Sequence, residues 1–152
     1  MISLNALKEL ANNKIVDSRV LLKRKRFDSA TYLLGYSIEI ALKYSICKIL
    51  DFNIGFPENK TEFERYMKDP IKKKKPELLE TINDVRMIKI HDLNKLLFYS
   101  GKEFIIKQDF LSEWEKIIPW NPELRYRLNF TNKENTFKLL NATRKVVSEI
   151  LN

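Results

Sequence analysis

Apolar residues recur at helical spacing over most of the chain, and no segment shows a convincing strand pattern. Residues 4–25 are predicted to form one long helix with a bend near Asn12 and Asn13. Its apolar positions are Leu4, Leu7, Ala11, Ile15, Val16, Val20 and Leu21. The helix ends in a run of four cations at 23–26, which would complement a helix C-terminus. The same run could instead contact phosphates, and both interpretations stay open.

A second segment, residues 29–47, is apolar on nearly all sides, because its only charges are Glu39 and Lys43. A helix of this kind is buried, so we expect it at the centre of the fold, with Asp28 as its N-cap. Its thin polar stripe consists of Asp28, Gly35, Glu39 and Lys43. Glu39 and Lys43 stand in the order that favours an ion pair within the helix. Because the helix is otherwise apolar, the pair could equally face a functional site or an interface.

Shorter helices are predicted beyond residue 51, where Gly55 and the prolines at 57, 70 and 76 interrupt the apolar pattern. The predicted segments are 61–68, 76–85, 93–99, about 108–117 and 131–150. Pro76 is expected in the first turn of the second of these helices. Asp92 and Thr131 are the expected N-caps of the helices at 93–99 and 131–150, and Gly101 is expected to end the former. The four-lysine run at 72–75 is expected to be a mobile solvated loop.

Together these elements predict one all-α domain over residues 1–152. We expect an antiparallel helical bundle with two long N-terminal helices and shorter helices after a Lys- and Pro-rich loop. The composition agrees with this fold class. A chain of 152 residues that is 44% apolar can bury one core, and 3 glycines and 5 prolines are too few for turn-rich β folds.

The charge balance favours a polyanionic partner. Lysine and arginine number 28 against 20 aspartates and glutamates, a formal net charge of +8. Such a balance bears on encounter with a partner and not on fold. The first residues lack the charged and apolar regions of a signal peptide, and no apolar run is long enough to span a membrane. We therefore expect a soluble cytoplasmic protein that does not contact a membrane.

The single cysteine and the single histidine limit the chemistry. They exclude an internal disulfide, a cysteine zinc cluster and a metal site with several histidines, and no cofactor is expected. Glycine-rich phosphate loops and serine nucleophile motifs are missing from the sequence. Cys47 falls within the apolar pattern of the central helix and is expected to be a buried structural thiol. His91, five residues after Arg86, is the remaining titratable centre.

Arg86 and His91 can act together only if the chain departs from a straight helix between them. Five helical residues rotate by roughly 500°, which leaves the two side chains about 140° apart. Asp92 as a helix cap predicts that the preceding helix stops before His91. Two chains could also bring the groups together across a two-fold axis. The structural alternative for His91 is a residue beside a helix cap that bonds the backbone.

Two segments resemble the HEPN family (higher eukaryotes and prokaryotes nucleotide-binding). The segment 32–43 is similar to the second helix of HEPN domains, in which a glutamate precedes a Leu-Lys pair as Glu39 does here. The segment 91–97, which begins His-Asp-Leu and ends Leu-Leu, is similar to the family's H-D-L-x-x-L-L stretch.

Two further motifs extend the resemblance over most of the chain in the family's order. Arg86 and His91 match the R-x(4–6)-H motif of HEPN ribonucleases. Arg125 and Tyr126, which precede the last predicted helix, are similar to an R-Y element of the family.

The resemblance implies a homodimeric helical bundle that cleaves RNA without a metal, often as the toxin or effector of a bacterial toxin–antitoxin or anti-phage system. The paired motifs would meet at the dimer interface, with Arg86 stabilising the phosphorane and His91 acting as general acid or base. The implied supporting or substrate-binding residues are Glu39, Lys43, Asp92, Arg125 and Tyr126. An antitoxin or nucleotidyltransferase would be the protein partner.

Two positions depart from the family pattern. Leu93 stands where toxins paired with minimal nucleotidyltransferases often carry a tyrosine that their antitoxin modifies. Met87 stands where a polar residue commonly follows the motif arginine. The H-D-L form also occurs in HEPN members that bind nucleotides without cutting RNA. The alternative is therefore a non-catalytic HEPN module that binds a nucleotide, nucleic acid or partner protein with the same pocket.

Overall fold

A computed structural model describes residues 1–88 and 91–152. Over these residues the protein is all-helical, and its elements in chain order are α1 (Leu4–Lys23), α2 (Phe27–Ile49), α3 (Lys60–Met67), α4 (Pro70–Lys73), α5 (Pro76–Met87), α6 (Leu93–Tyr99), α7 (Glu103–Asp109), α8 (Leu111–Ile117), a 3-10 turn (Pro122–Tyr126) and α9 (Lys133–Leu151). An isolated antiparallel bridge joins Ile2 to Phe56. None of the described helices is both long and apolar enough to cross a membrane.

The core is built around α2, which packs against α1 and α9, while α1 and α9 also contact each other. The α2 side chains with no solvent exposure include Leu34, Ile38, Leu42 and Ile46. Burial of each such side chain stabilises the fold by about 1.5–3 kcal/mol. The prediction of a buried central helix is confirmed. The thiol of Cys47 is buried as predicted, and burial raises its pKa to about 12.

The turn between α1 and α2 closes with a pair of hydrogen bonds. The N–H of Arg26 donates to the carbonyl of Leu21 at 2.9 Å, and the N–H of Lys25 donates to that of Leu22 at 3.0 Å. This is the Schellman arrangement, and Lys25 occupies its left-handed position with φ of 59°. The helix therefore ends at Lys23, two residues before the predicted end, and α2 returns along α1.

The prediction that Asp28 caps α2 is wrong. The helix begins at Phe27, two residues before the predicted start at Ser29, and its N-cap is Arg26. The Asp28 carboxylate instead accepts the backbone N–H of Asn129 at 2.6 Å and that of Thr131 at 3.3 Å. Asp28 thus joins the start of α2 to the segment before α9.

Thr131 is not the cap of the last helix. The N-cap of α9 is the next residue, Asn132, whose side chain accepts the N–H of Asn135 at 2.9 Å. The predicted helix at 108–117 is also wrong in its extent, because α7 and α8 replace it. The backbone of Phe110, with φ of −131°, separates these two helices. Ile106, which is fully buried, fixes α7 to the core.

The lysine run at 72–75 is not simply a solvated loop. Asp69 caps α4 by accepting the N–H of Ile71 at 2.8 Å, and Lys72 lies within this helix. Lys72 is only 2% exposed, and its ammonium donates to the Asp51 carbonyl at 2.8 Å. It also lies 5.6 Å from the ring centroid of Tyr66. The lysines at 73, 74 and 75 remain exposed.

The helices around the candidate site follow the predictions more closely. Pro76 lies in the first turn of α5, and that helix stops at Met87. Asp92 caps α6 by accepting the N–H of Lys95 at 3.1 Å. Gly101 follows α6 with φ of 72°, a conformation that favours glycine. The predicted interruption between Arg86 and His91 is therefore confirmed by the end of α5 at Met87. Residues 89–90 lie outside the described residues.

Candidate functional site

One face of α2 carries Tyr32, Tyr36, Glu39 and Lys43, at spacings of four, three and four residues. On a helix these positions fall within about 60° of one another. The two tyrosines are half-buried, and the two charged residues are buried. The central helix therefore presents a continuous polar row along one side.

Glu39 is the centre of this row. It is 2% exposed, and its Oε1 atom accepts a hydrogen bond from Lys43 Nζ at 2.6 Å. Its Oε2 atom lies 2.8 Å from Nδ1 of His91. A buried carboxylate is costly unless charges and donors surround it, and here both oxygens are engaged. The Glu39–Lys43 ion pair is thus also part of a three-residue cluster with His91.

His91 is held by Glu39 but accessible. Its side chain is 42% exposed, although its carboxylate partner is buried. Because an ionised carboxylate only accepts hydrogen bonds, we assign a proton to Nδ1, whose N–H donates a hydrogen bond to Oε2 of Glu39. In the neutral form of the ring, the other nitrogen, Nε2, then holds the lone pair. A ring fixed in this tautomer can remove a proton from a substrate hydroxyl.

Arg86 lies in the last turn of α5. Its Nη2 atom donates to Oδ1 of Asn83 at 2.6 Å. Arg86 and Lys43 line one cavity of about 390 Å³, whose apolar wall includes Phe56 and Phe63. Lys43 Nζ lies 5.4 Å from the ring centroid of Phe56.

The described residues contain no direct hydrogen bond between Arg86 and His91. The two side chains are connected through the Lys43–Glu39 pair, since Lys43 shares the cavity with Arg86 and Glu39 contacts His91. The cavity and the imidazole therefore lie next to the same buried ion pair.

An aromatic layer supports His91. The ring of Tyr36 lies edge-on, with its centroid 6.3 Å from that of His91. Tyr36 in turn packs against Trp120, at a centroid distance of 5.3 Å, and accepts a hydrogen bond from the hydroxyl of Tyr32 at 3.2 Å. Burial raises the pKa of Tyr36 to about 12, so this phenol is neutral near pH 7.

Gly35 allows this layer to form. A Cβ atom at this position would lie 2.1 Å from the Trp120 indole, so any larger side chain would displace the ring. Trp120 is also anchored by its Nε1–H, which donates to the carbonyl of Tyr32 at 3.1 Å. Tyr32 and Tyr36 were not among the predicted site residues. Their spacing to Glu39 was the signal that could have identified them.

Arg125 and Tyr126 lie at the Tyr32 end of the polar row, in the 3-10 turn. The guanidinium carbon of Arg125 is 4.8 Å from the ring centroid of Tyr126. The pKa of Arg125 is raised, chiefly by the neighbouring Tyr32 hydroxyl. Tyr126 itself is 77% exposed. Of the other predicted site residues, Asp92 serves as the α6 cap.

The predicted residues are thus connected to different degrees. Glu39, Lys43 and His91 form one hydrogen-bonded cluster, Arg86 shares a cavity with Lys43, and Arg125 is linked through the tyrosines. Within the part of the chain that the structure describes, no group of three or more His, Cys, Asp or Glu side chains could hold a metal ion.

Comparison with known proteins finds no family model, no curated protein and no solved structure that matches this chain. The fold and the site define an all-helical protein in which an exposed imidazole is held by a buried ion pair. Its function is inferred from that geometry and from the motif resemblance.

Proposed function

We propose that this chain is a HEPN-type, metal-independent endoribonuclease that acts as a homodimer, as the toxin or effector of a bacterial toxin–antitoxin or anti-phage system. The hydrogen bond between His91 Nδ1 and Glu39 Oε2 carries most of the support. It holds an accessible imidazole in the tautomer that a general base requires.

RNA supplies its own nucleophile for this reaction. The neutral His91 imidazole removes the proton of a ribose 2′-hydroxyl through Nε2, and the 2′-oxygen attacks the adjacent phosphorus. The bond from phosphorus to the 5′-oxygen breaks, leaving a 2′,3′-cyclic phosphate and a 5′-hydroxyl. The leaving oxygen takes its proton from a second imidazole, which enters the reaction in its protonated form. Because each chain has one histidine, a dimer supplies the second group.

The cations beside the imidazole suit the phosphate. The guanidinium of Arg86 can form two hydrogen bonds to phosphate oxygens and offset the charge that grows on them in the transition state. Lys43 balances the charge of Glu39, so the carboxylate can orient His91 without repelling the phosphate. Glu39 acts through His91, and we therefore assign it as a positioning residue.

Cleavage of RNA in the presence of EDTA tests this function. The wild type is expected to release fragments that end in 2′,3′-cyclic phosphate, whereas His91→Ala and Arg86→Ala lose about 10²- to 10⁴-fold in rate. Arg144→Ala, which removes an exposed arginine on α9, is the matched control and should cleave as the wild type does. Equal cleavage by the wild type and His91→Ala would contradict the proposal.

Light scattering at micromolar concentration tests the dimer independently. A species of two chains is expected, and a species of one chain at all concentrations would count against catalysis that depends on two imidazoles.

A second candidate function, a non-catalytic module that binds a nucleotide, is favoured by the cavity beside Arg86. Its volume of about 390 Å³, its phenylalanine wall and its three cations, Lys43, Lys60 and Arg86, would suit a base and a phosphate. Calorimetric titration with nucleoside monophosphates distinguishes the two functions. Binding that Arg86→Ala abolishes, in a wild-type protein that does not cleave RNA, would favour the module.

A further inference from the structure

A second cavity, of about 540 Å³, lies where α2 begins, between the α1–α2 turn and the segment 124–131. We refer to it as the basic cleft. Among the described residues that line it, the cations are Lys25, Arg26, Arg125 and Arg127, and the carboxylate is Asp28. Two backbone N–H groups already occupy the Asp28 oxygens. The side chains that remain to meet a ligand therefore favour an anion.

Lys25 has a backbone conformation that favours glycine over lysine. Its φ of 59° lies in the left-handed region, at the position after a helix where glycine is strongly preferred. A lysine there strains the backbone and places a cation at the cleft. Strain of this kind points to a role for the side chain that chain reversal alone does not explain.

Exposed flat and apolar side chains accompany the cations. Tyr126 is 77% exposed and packs under the guanidinium of Arg125, and Leu128, which lines the cleft, is 88% exposed. Cations interleaved with an accessible aromatic ring are typical of surfaces that bind single-stranded nucleic acid, because unpaired bases can stack while phosphates contact the cations. A duplex keeps its base faces covered and would leave Tyr126 unused.

The basic cleft is linked to the candidate site through Tyr32 and Tyr36. Tyr32 lines the cleft, and its hydroxyl donates to Tyr36, which packs against His91. Tyr32 precedes Glu39 by seven residues, or about 10 Å along the axis of α2. A strand that leaves the cleft in the direction of this row would approach the imidazole.

We infer that the basic cleft is a binding site for single-stranded RNA beside the cleavage position. Lys25, Arg26 and Arg127 contact the phosphates, and Tyr126 stacks on a base. The choice of RNA as the ligand rests on the proposed function. This site also gives Lys25 and Arg26, within the cation run at 23–26, a role beyond completing the helix end.

Fluorescence anisotropy with a labelled single-stranded RNA of about 12 nucleotides tests the inference. The protein carries His91→Ala so that the probe stays intact. Adding Arg26→Gln and Arg127→Gln should weaken binding about tenfold or more and reduce the slope of log K against log salt by about 1.4, or 0.7 for each lost phosphate contact.

The matched control removes two exposed cations at the other end of α2. Lys73→Gln with Lys74→Gln changes the net charge equally, and α4 is tied by Lys72 to Asp51, which follows the C-terminus of α2. With 23 residues, α2 separates the two ends by about 34 Å. Binding should change by less than about twofold. If both double variants weaken RNA binding equally, only net charge matters, and the proposal that the cleft binds RNA is overturned.

The variant Lys25→Gly distinguishes a loss of RNA binding caused by a missing cation from one caused by unfolding. Glycine suits the left-handed conformation, so this variant should fold at least as well as the parent while binding RNA several-fold more weakly. Unchanged binding by Lys25→Gly and by the cleft double variant would overturn the inference, as would tighter binding of a duplex or an anionic phosphatidylserine vesicle.

The two proposals fail separately. If wild-type protein cleaves RNA while the cleft variants bind it normally, the RNA-binding role of the cleft is rejected and the proposed endoribonuclease activity is retained. If RNA is bound through the cleft and is not cleaved by the wild type, the RNA-binding role of the cleft is retained and the proposed endoribonuclease activity is rejected.

Discussion

Nδ1 of His91 lies 2.8 Å from Oε2 of Glu39, although 52 residues separate the two in sequence. The carboxylate is buried in the central helix, whereas the imidazole is substantially exposed. The buried group is rigid and the exposed group can meet a ligand, so one hydrogen bond couples the core to the surface. This division suits a positioned general base better than a histidine that only caps a helix.

Replacing Glu39 with glutamine should change the tautomer of His91. An amide N–H would donate to Nδ1 and move the imidazole proton to Nε2, where it blocks proton removal. Cleavage should fall about 10²- to 10⁴-fold. Nitrogen NMR of His91 measures the tautomer directly, a signal that simple destabilisation would not produce.

Glu113→Gln serves as the control for this substitution, because it removes the same charge from a carboxylate that pairs with Lys145 at 3.0 Å. It should leave the His91 spectrum unaltered. Retention of the Nδ1–H tautomer in Glu39→Gln would contradict the positioning role.

The Glu39–Lys43 pair should be strongly non-additive in stability. Lys43→Met leaves the buried carboxylate with His91 alone and should lower the free energy of unfolding by about 3 kcal/mol. Replacing both residues with methionine removes both buried charges, so the double variant should lose less stability than Lys43→Met. Urea unfolding of the two single variants and the double variant measures the coupling, and additive losses would show that the pair is weak.

The sequence predicts those features of the fold that depend on neighbouring residues. The apolar spacing predicts α1 and α2, Pro76 begins α5, and Asp92 caps α6, because each signal acts within one or two turns of helix. Asp28 misled the prediction because the groups that its carboxylate accepts lie about 100 residues away. Nothing in a local pattern reports such a partner.

The candidate site shows the same contrast between local signals and contacts that depend on tertiary packing. The hydrogen bond within the Glu39–Lys43 pair could be expected from its spacing, but its link to His91 depends on how α2 packs beside the segment before α6. Burial of Lys72 against Asp51 depends in the same way on tertiary packing. A run of four lysines carries no local sign that one of them is buried.

Gly35→Ala should destabilise the protein, contrary to the ordinary effect of this substitution in a helix. In an open helix, alanine gains up to about 1 kcal/mol over glycine. Here the new Cβ would overlap the Trp120 indole, and we expect a net loss of about 1–3 kcal/mol. The fluorescence of Trp120 should change as the ring moves away from Tyr36.

Ser29→Ala, at an exposed position of the same helix, is the control for Gly35→Ala. It should change stability by less than about 0.5 kcal/mol. A stabilised Gly35→Ala protein with unchanged fluorescence would mean that the indole does not pack on this glycine.

Two glycine substitutions two residues apart should have opposite effects on stability. Lys25→Gly relieves a left-handed lysine and should raise the free energy of unfolding by up to about 1 kcal/mol. Lys23→Gly falls within the last turn of α1 and should lower it by about 0.5–1 kcal/mol. Thermal unfolding compares them, and a shift of both in the same direction would exclude strain at Lys25.

Cys47 should react slowly with thiol reagents in the folded protein. Burial raises its pKa from 9.0 to about 12, so at pH 8 about one molecule in 10⁴ carries the reactive thiolate, against about one in 10 for an exposed thiol. Because unfolding restores the lower pKa, the thiol also contributes stability that is present below pH 9 and is lost as the pH rises towards 12. Iodoacetamide labelling followed by mass spectrometry measures the rate, with the denatured chain as the control. If the native protein is labelled as fast as the denatured chain, the sulfur lies at the surface, where it could act as a nucleophile.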